Sequence, residues 1–351
     1  MQSGQPAAML LSYHLAPTDS ARTMGSLVEF QKLPYNPASP LEPRTTLITL
    51  VRAVRVVVNI LVFIAKLIPL LIYLLLRKFI CRKPKDIRGW VALVTGGANG
   101  LGRQIAIELA KDGCHVAVAD LDEYGAMRTV LELRYYGVKA AAYCVDVANA
   151  SQVRDLQRRV EAELGPVDIL VNNAGLVPFL VSDEYVPENL QRLVNVNILA
   201  NFYTVNTFLP GMYVRQRGHI VTISSAAAYL SLGLMRHYTT TKYAMRGFME
   251  ELRDEIRLAG HSKWVKTTTI YPFQLNTRKE LVTAVLKLPY FSKLPVVDPM
   301  VAAQSIVRSI RINKRKAFAP DWFAVRWVAF VEDMPRKIKY LFQDQLLSGD
   351  D

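Results

Sequence analysis

Tyr238 and Lys242 stand four residues apart in the run Tyr238-Thr239-Thr240-Thr241-Lys242, a spacing that sets both side chains on one face of a helix, one turn apart. A free phenol has a pKa of about 10, too high for efficient proton exchange at neutral pH, and a nearby ammonium favours its phenolate. Such a pair can serve as general base toward an alcohol and as general acid toward a carbonyl. Spacing alone does not single it out, because Tyr135 and Lys139 repeat it. Those two close a stretch that reads as a surface helix. Ser225, in contrast, precedes Tyr238 at the end of the apolar run His219-Ile220-Val221-Thr222-Ile223-Ser224.

A second constellation lies upstream. The segment Val91-Ala92-Leu93-Val94-Thr95-Gly96-Gly97-Ala98-Asn99-Gly100-Leu101-Gly102 reads as a strand running through a glycine turn into a helix. Such a turn lets backbone N–H groups approach a pyrophosphate, which a helix N-terminus also favours. Glycine there is weak evidence by itself, since any tight strand-to-helix turn can use it. The elements around it strengthen the reading. Trp90–Thr95, His115–Asp120, Ala140–Val145, Asp168–Val171, His219–Ser224 and Lys266–Tyr271 read as short apolar strands, with helices such as Leu101–Lys111 and Gln152–Leu164 between them. This alternation predicts an α/β fold, a parallel sheet wound doubly and covered by helices on both faces.

Taken together, Thr95-Gly96-x3-Gly100-x-Gly102, Asn172-Asn173-Ala174-Gly175 and the Ser225, Tyr238, Lys242 set resemble the short-chain dehydrogenase/reductase family over roughly residues 89–320. The resemblance implies a Rossmann-like fold and a nicotinamide dinucleotide cradled by Thr95, Gly96, Asn99, Gly100, Leu101 and Gly102. Asp120, at the end of the second strand, is placed to accept hydrogen bonds from the adenosine ribose and repel a 2′-phosphate. NAD is therefore expected over NADP, and Asn99 agrees, because NADP-using relatives often carry a basic residue there. Asp146 matches an adenine-contacting acid, Asn173, Ala174 and Gly175 a turn against the cofactor, and Thr277 a partner of the nicotinamide amide. The same resemblance gives Ser225 the substrate oxygen, Lys242 the nicotinamide ribose, and Asn197 a water-linked proton relay. In the run Asn195 to Asn201, motif alignment favours Asn197, leaving Asn195 and Asn201 as polar residues of a solvated helix face. One departure stands out: Phe273 follows Pro272 where the family usually has glycine, and it threatens to intrude on the pocket.

Within the family, the Gly218–Ser225 run, the Tyr271-Pro272-Phe273 run and the N-terminal segment look most like the membrane-associated retinol dehydrogenase and 17-beta-hydroxysteroid dehydrogenase type 11 group. That implies a lipophilic alcohol or carbonyl as substrate: retinol and retinal, or a hydroxysteroid and its ketone. An apolar lid over residues 281–297 agrees. Two other readings stay in view: an NADPH-dependent ketoacyl or ketosteroid reductase, which Asp120 disfavours, and a non-catalytic lipid-surface scaffold, which the intact Ser225, Tyr238 and Lys242 disfavour.

The charge of +13 is concentrated beside an apolar stretch. Residues 44–88 carry ten Lys or Arg against the single acid Asp86, a pattern suited to anionic lipid headgroups and not to nucleic acid. Val56 to Leu76, broken only by Asn59, Lys66 and Pro69, would measure about 31 Å as a helix, enough for a bilayer core. Arg52, Arg55, Asn59, Lys66, Tyr73 and Arg77 share one side of it, so a simple span competes with an interfacial helix and with a hairpin bent at Pro69. Basic residues are more numerous after the stretch than before it, which orients the following domain to the cytosol. The organisation expected is a flexible leader over 1–43, a membrane anchor over 44–88, a catalytic domain over 89–320 and an amphipathic extension over 321–351. An endoplasmic reticulum membrane or a lipid-droplet surface is the expected location, and a homodimer stays open. Cys81, Cys114 and Cys144 are not spaced as metal-binding pairs, no metal site is expected, and a reducing compartment suits them. Asn149-Ala150-Ser151 matches a glycosylation sequon but falls inside the nucleotide domain and reads as chance.

Overall fold

The computed structural model describes residues 43–77, 83–177, 187–229, 235–277 and 296–321, with residues 335 and 337. The expected leader, nearly all of the lid and the C-terminal extension lie outside the described residues. The chain divides into two compact units, Met1–Ile80 and Cys81–Asp351.

In the first unit, α1 (Pro43–Arg77) is one helix of 35 residues that continues through Pro69, so the hairpin bent at that proline is not formed. Its apolar side chains, including Leu50, Val54, Val57, Leu61, Phe63 and Ile68, are exposed. Arg52, Arg55 and Lys66 interrupt them, and no helix among the described residues is long and apolar enough to cross a membrane.

The second unit is built on seven parallel strands: β1 (Val91–Thr95), β2 (His115–Asp120), β3 (Ala140–Cys144), β4 (Val167–Asn172), β5 (Gly218–Ile223), β6 (Val265–Pro272) and β7 (Lys316–Ala319), in the order β3-β2-β1-β4-β5-β6-β7. Alternate residues of β1 show why both faces are covered. Ala92 and Val94 pack with α2 (Gly100–Lys111), α3 (Glu123–Arg134) and α8 (Pro299–Arg311). Val91 and Leu93 pack on the other side, with α4 (Ala150–Glu163), α6 (Ala200–Val214) and α7 (Arg236–Leu258). Strand order reverses between β1 and β4, and in doubly wound sheets ligands bind beyond the carboxyl ends of the strands at such a switch point. The glycine turn follows β1 there, and the Asn173-Ala174-Gly175 turn follows β4.

Two local findings differ from sequence expectation. Strand β7 was not anticipated: four residues, Lys-Ala-Phe-Ala, carry too little alternation to stand out beside β6. Residues 83–88 pack with the sheet unit, since Lys85 N–H donates to the Arg311 carbonyl at 2.8 Å and Ile87 is buried. The helical stretch before β5 runs without a break through α5 (Pro187–Val194), a π-helical turn (Asn195–Leu199) and α6. Asn149 of the sequon has a role that the sequence reading did not assign: its side-chain oxygen caps α4 by accepting from Ser151 N–H and Gln152 N–H.

Candidate active site

The glycine turn is shaped for close backbone approach. Gly96 and Gly100 have φ of 63° and 55°, in the left-handed region. A Cβ on Gly102 would lie 2.1 Å from the Gly96 carbonyl oxygen and 2.4 Å from Asn173 Nδ2, so only glycine lets α2 close on the turn. Asn99 occupies the N-cap position of α2 without a side-chain cap bond. The first N–H groups of that helix are therefore left facing the cleft, a ready anion site.

The two turns are locked together by side chains that the sequence pointed to for the cofactor. Asn173 Nδ2 donates to the carbonyls of Thr95 and Gly96 at 3.0 and 2.9 Å. Thr95 Oγ1 accepts from the N–H groups of Asn173 and Ala174, both at 3.1 Å, and donates to the Val171 carbonyl at 3.3 Å. Thr95 is buried and works from behind the turn; both residues shape the cradle.

A cleft of about 1270 Å³ runs along these turns, lined among others by Gly96, Asn99, Gly100, Leu101, Gly102, Asp120, Asp146, Asn173, Ala174, Gly175 and Thr277. All the expected cofactor residues of the turns and strand ends except Thr95 thus border one space. Asp120 Oδ2 accepts from Ala98 N–H at 2.9 Å and Oδ1 from Asp122 N–H at 3.0 Å. A carboxylate has about four acceptor sites, so capacity remains for ribose hydroxyls. Asp146 Oδ1 accepts from Ala148 N–H at 2.9 Å. Leu121, Asp122, Val145, Val147 and Val196 also line the cleft, and sequence reading had not selected them. Phe273 does not border it. Its ring turns to Phe318, with ring centres 6.4 Å apart, and packs on the core, away from this cofactor cleft; nearly all of the lid on the substrate side lies outside the described residues.

The cleft meets the reactive groups at Gly175. A Cβ there would lie 3.4 Å from Asn197 Oδ1 and 3.6 Å from Lys242 Nζ. Lys242 is buried, its Nζ donates to the Ile223 carbonyl at 3.2 Å, and it stands 5.4 Å from the centre of the Tyr238 ring. The Tyr238 hydroxyl is enclosed with the Ser225 side chain near it, although the residue as a whole is half-buried. Ser225 also accepts from Ala227 N–H at 3.1 Å, capping the short 3₁₀ turn Ala226–Ala228. Ser224 Oγ donates to the Lys242 carbonyl at 2.9 Å and so ties α7 to the end of β5. The other Tyr and Lys pair is not assembled: Tyr135 ends α3 in solvent.

Burial governs the ionisation of both central groups in the free chain. It lowers Lys242 to about 8, and it raises Tyr238, with the Ser225 side chain pulling the other way. The phenolate expected from the sequence is favoured by Lys242 together with oxidised nicotinamide; in the free chain, without that second cation, desolvation raises the phenol.

Asn197 is buried and bonded at both side-chain atoms. Its Oδ1 accepts from Leu176 N–H at 2.7 Å, and its Nδ2 donates to the Leu176 carbonyl at 2.9 Å and to Thr241 Oγ1 at 3.1 Å. Thr241 Oγ1 in turn donates to the Tyr238 carbonyl at 2.7 Å. Asn197 lies in the π-turn, a feature concentrated at functional sites. Asn201 is a correction: it is buried, donates to the Asn197 carbonyl at 3.1 Å and accepts from Thr222 Oγ1 at 3.3 Å. Thr241 and Asn201 carried no sequence signal, because their partners lie on other elements.

Comparison with known proteins gives the same picture. The short chain dehydrogenase family model matches residues 90–281. The chain is 33% identical over 264 residues to estradiol 17-beta-dehydrogenase 11 of Homo sapiens, covering 74% of this chain and 85% of that protein. It is 30% identical over 272 residues to 17-beta-hydroxysteroid dehydrogenase 13 of Homo sapiens, covering 77% and 88%. A crystal structure of a short chain dehydrogenase from Mycobacterium paratuberculosis bound to NAD superposes with a TM-score of 0.61 at 25% identity, over 69% of this chain and 99% of that one. With the Ser225, Tyr238 and Lys242 geometry in place, the chain belongs to the short chain dehydrogenase family and is an oxidoreductase of the alcohol and carbonyl type.

Proposed function

We propose that this chain is an NAD-dependent dehydrogenase that interconverts the hydroxyl and carbonyl forms of a lipophilic substrate, a hydroxysteroid first and a retinoid second. The observation that carries the reading is the enclosed Tyr238 hydroxyl near Ser225, with Lys242 Nζ 5.4 Å from its ring and beside Gly175 at the edge of the cleft that the cofactor residues line. NAD, when bound, supplies the hydride acceptor. Ser225 holds the substrate oxygen. Tyr238 takes the hydroxyl proton in oxidation and returns it in reduction. Lys242 orients the cofactor and, when protonated, favours the phenolate. Asn197 supports the buried polar path behind Lys242. The names of the relatives support a steroid, and the NAD-bound structural relative together with Asp120 supports NAD over NADP.

The exposed apolar side chains of α1 and its basic flanks support attachment to a membrane or lipid-droplet surface, with the endoplasmic reticulum as source and the catalytic unit in the cytosol. An interfacial helix suits the cations Arg52, Arg55 and Lys66 on one side better than a simple span does. The test is the purified full chain in detergent, supplied with hydroxysteroids, retinol and long-chain alcohols, each with NAD and NADP. Tyr238→Phe is expected to lose about 10²-fold or more of turnover while binding the cofactor as the parent does. Full turnover in that variant would refute the assignment.

A further inference from the structure

The connection between β2 and α3 is only Leu121 and Asp122, and it brings a second carboxylate into the cleft beside Asp120. Asp122 is held from both sides. Its Oδ1 accepts from Gly125 N–H at 2.9 Å as the cap of α3, and its Oδ2 accepts from Asn99 Nδ2 at 2.9 Å, across from the glycine turn. These two bonds hold its carboxyl below the usual range, so its charge persists through neutral and mildly acid pH. Gly125 is part of the arrangement. A Cβ on it would lie 2.3 Å from Asp122 Oδ2, so a glycine in the first turn of a helix, unfavourable in itself, is what admits the carboxylate. Asn99, for its part, turns its amide to Asp122 and leaves the N-terminus of α2 uncapped.

We propose that Asp122 is a second specificity-determining carboxylate, which with Asp120 selects a dinucleotide with a free adenosine 2′-hydroxyl over one with a 2′-phosphate, and that Asn99 is its positioning residue. This rests on the nicotinamide dinucleotide reading above. Two acids at one strand end repel a phosphate dianion more strongly than Asp120 alone. In an exposed, screened site the second charge changes the ratio of the two affinities by roughly fivefold.

The competing view makes Asp122 a helix cap and nothing more. Asp122→Asn separates the two, because asparagine caps helices as well as aspartate does but carries no charge; Asp122→Ser is a second uncharged cap. Affinities of the full chain for NAD+ and NADP+, without substrate, are measured by titration calorimetry at fixed ionic strength, beside Asp120→Asn and Asn99→Ala. The expected result is a roughly fivefold relative gain for NADP+ in both Asp122 variants with an unchanged melting temperature, and a smaller gain in Asn99→Ala. A ratio that stays within twofold of the parent in both Asp122 variants, while Asp120→Asn shifts it, overturns the proposal. A parent chain that itself prefers NADP+ would instead sink the NAD reading, a result distinct from the first.

Discussion

Removing the Lys85 amine should erase a pH dependence of stability that the parent carries. Lys85 Nζ lies 2.8 Å from His219 Nδ1, and His219 Nε2 lies 2.8 Å from Thr268 Oγ1, whose hydrogen goes to the Lys314 carbonyl at 2.7 Å. Because Thr268 donates onward, it accepts from His219, which leaves Nδ1 as the acceptor for Lys85. Burial lowers Lys85 to about 7, against an ordinary value of 10.5; Cys114 and Asp168 act to raise it and Lys266 to lower it, while Trp90 offers its ring face at 4.8 Å. His219, fully buried beside Lys85 and Lys266, is held well below the usual histidine range and stays neutral. Between pH 7 and 10.5 the unfolded chain thus binds one more proton than the folded chain at this site, so stability rises with pH across that window, by about 1.4 kcal/mol per unit. From pH 6 to pH 8.5 the parent should gain about 2 kcal/mol relative to Lys85→Met. The variant also leaves His219 Nδ1 without a donor, a pH-independent cost of about 1–3 kcal/mol. Contributions from groups that do not feel Lys85 cancel in the difference, and burial, the largest effect on His219 and Cys114, acts on both in either protein. The assay is urea unfolding of the full chain in detergent micelles at both pH values. Parallel curves, with a parent-to-variant difference that does not change with pH, would show that Lys85 is not the buried near-neutral group described here.

Lys242→Met should reduce alcohol oxidation by about 10²-fold at pH 7, where Lys242, lowered to about 8, is largely protonated, and by less at pH 10, where the parent's own Lys242 has lost its charge; equal losses at both pH values in steady-state absorbance assays would exclude that role. Arg217→Ala should cost about 3–5 kcal/mol, because Asp168 is only 1% exposed and Arg217 grips it at 2.9 and 3.0 Å. Arg215 at 4.0 Å and Val91 N–H at 3.2 Å pull this toward the lower end. Thermal unfolding checks it, and a loss below about 1 kcal/mol would mean that the carboxylate is relieved by water or by its proton.

Features that a chain encodes within one element were readable before the structure, and features that join distant elements were not. The strand ends at Asp120 and Ser225 followed from apolar runs, and the helix carrying Tyr238 and Lys242 from a four-residue spacing. The glycine turn could be recognised because a backbone that must approach a phosphate tolerates few residue types. Asn201 was misjudged for the opposite reason. In a helix an asparagine is mildly unfavourable and suits a solvated face, whereas the partners that bury Asn197 and Asn201 include Leu176, Thr241 and Thr222 on other elements. Likewise, nothing in Lys85 marks it as buried: it sits in a basic run that reads as a lipid-facing flank, and its burial depends on His219, 134 residues away. Phe273 also takes its place from a distant element: Phe318 on the unanticipated β7 holds its ring away from the cofactor cleft. The polar groups that tune this site are therefore set by pairings between strands and helices, and a substitution series confined to the family motif would leave Thr241, Asn201 and Asp122 untested.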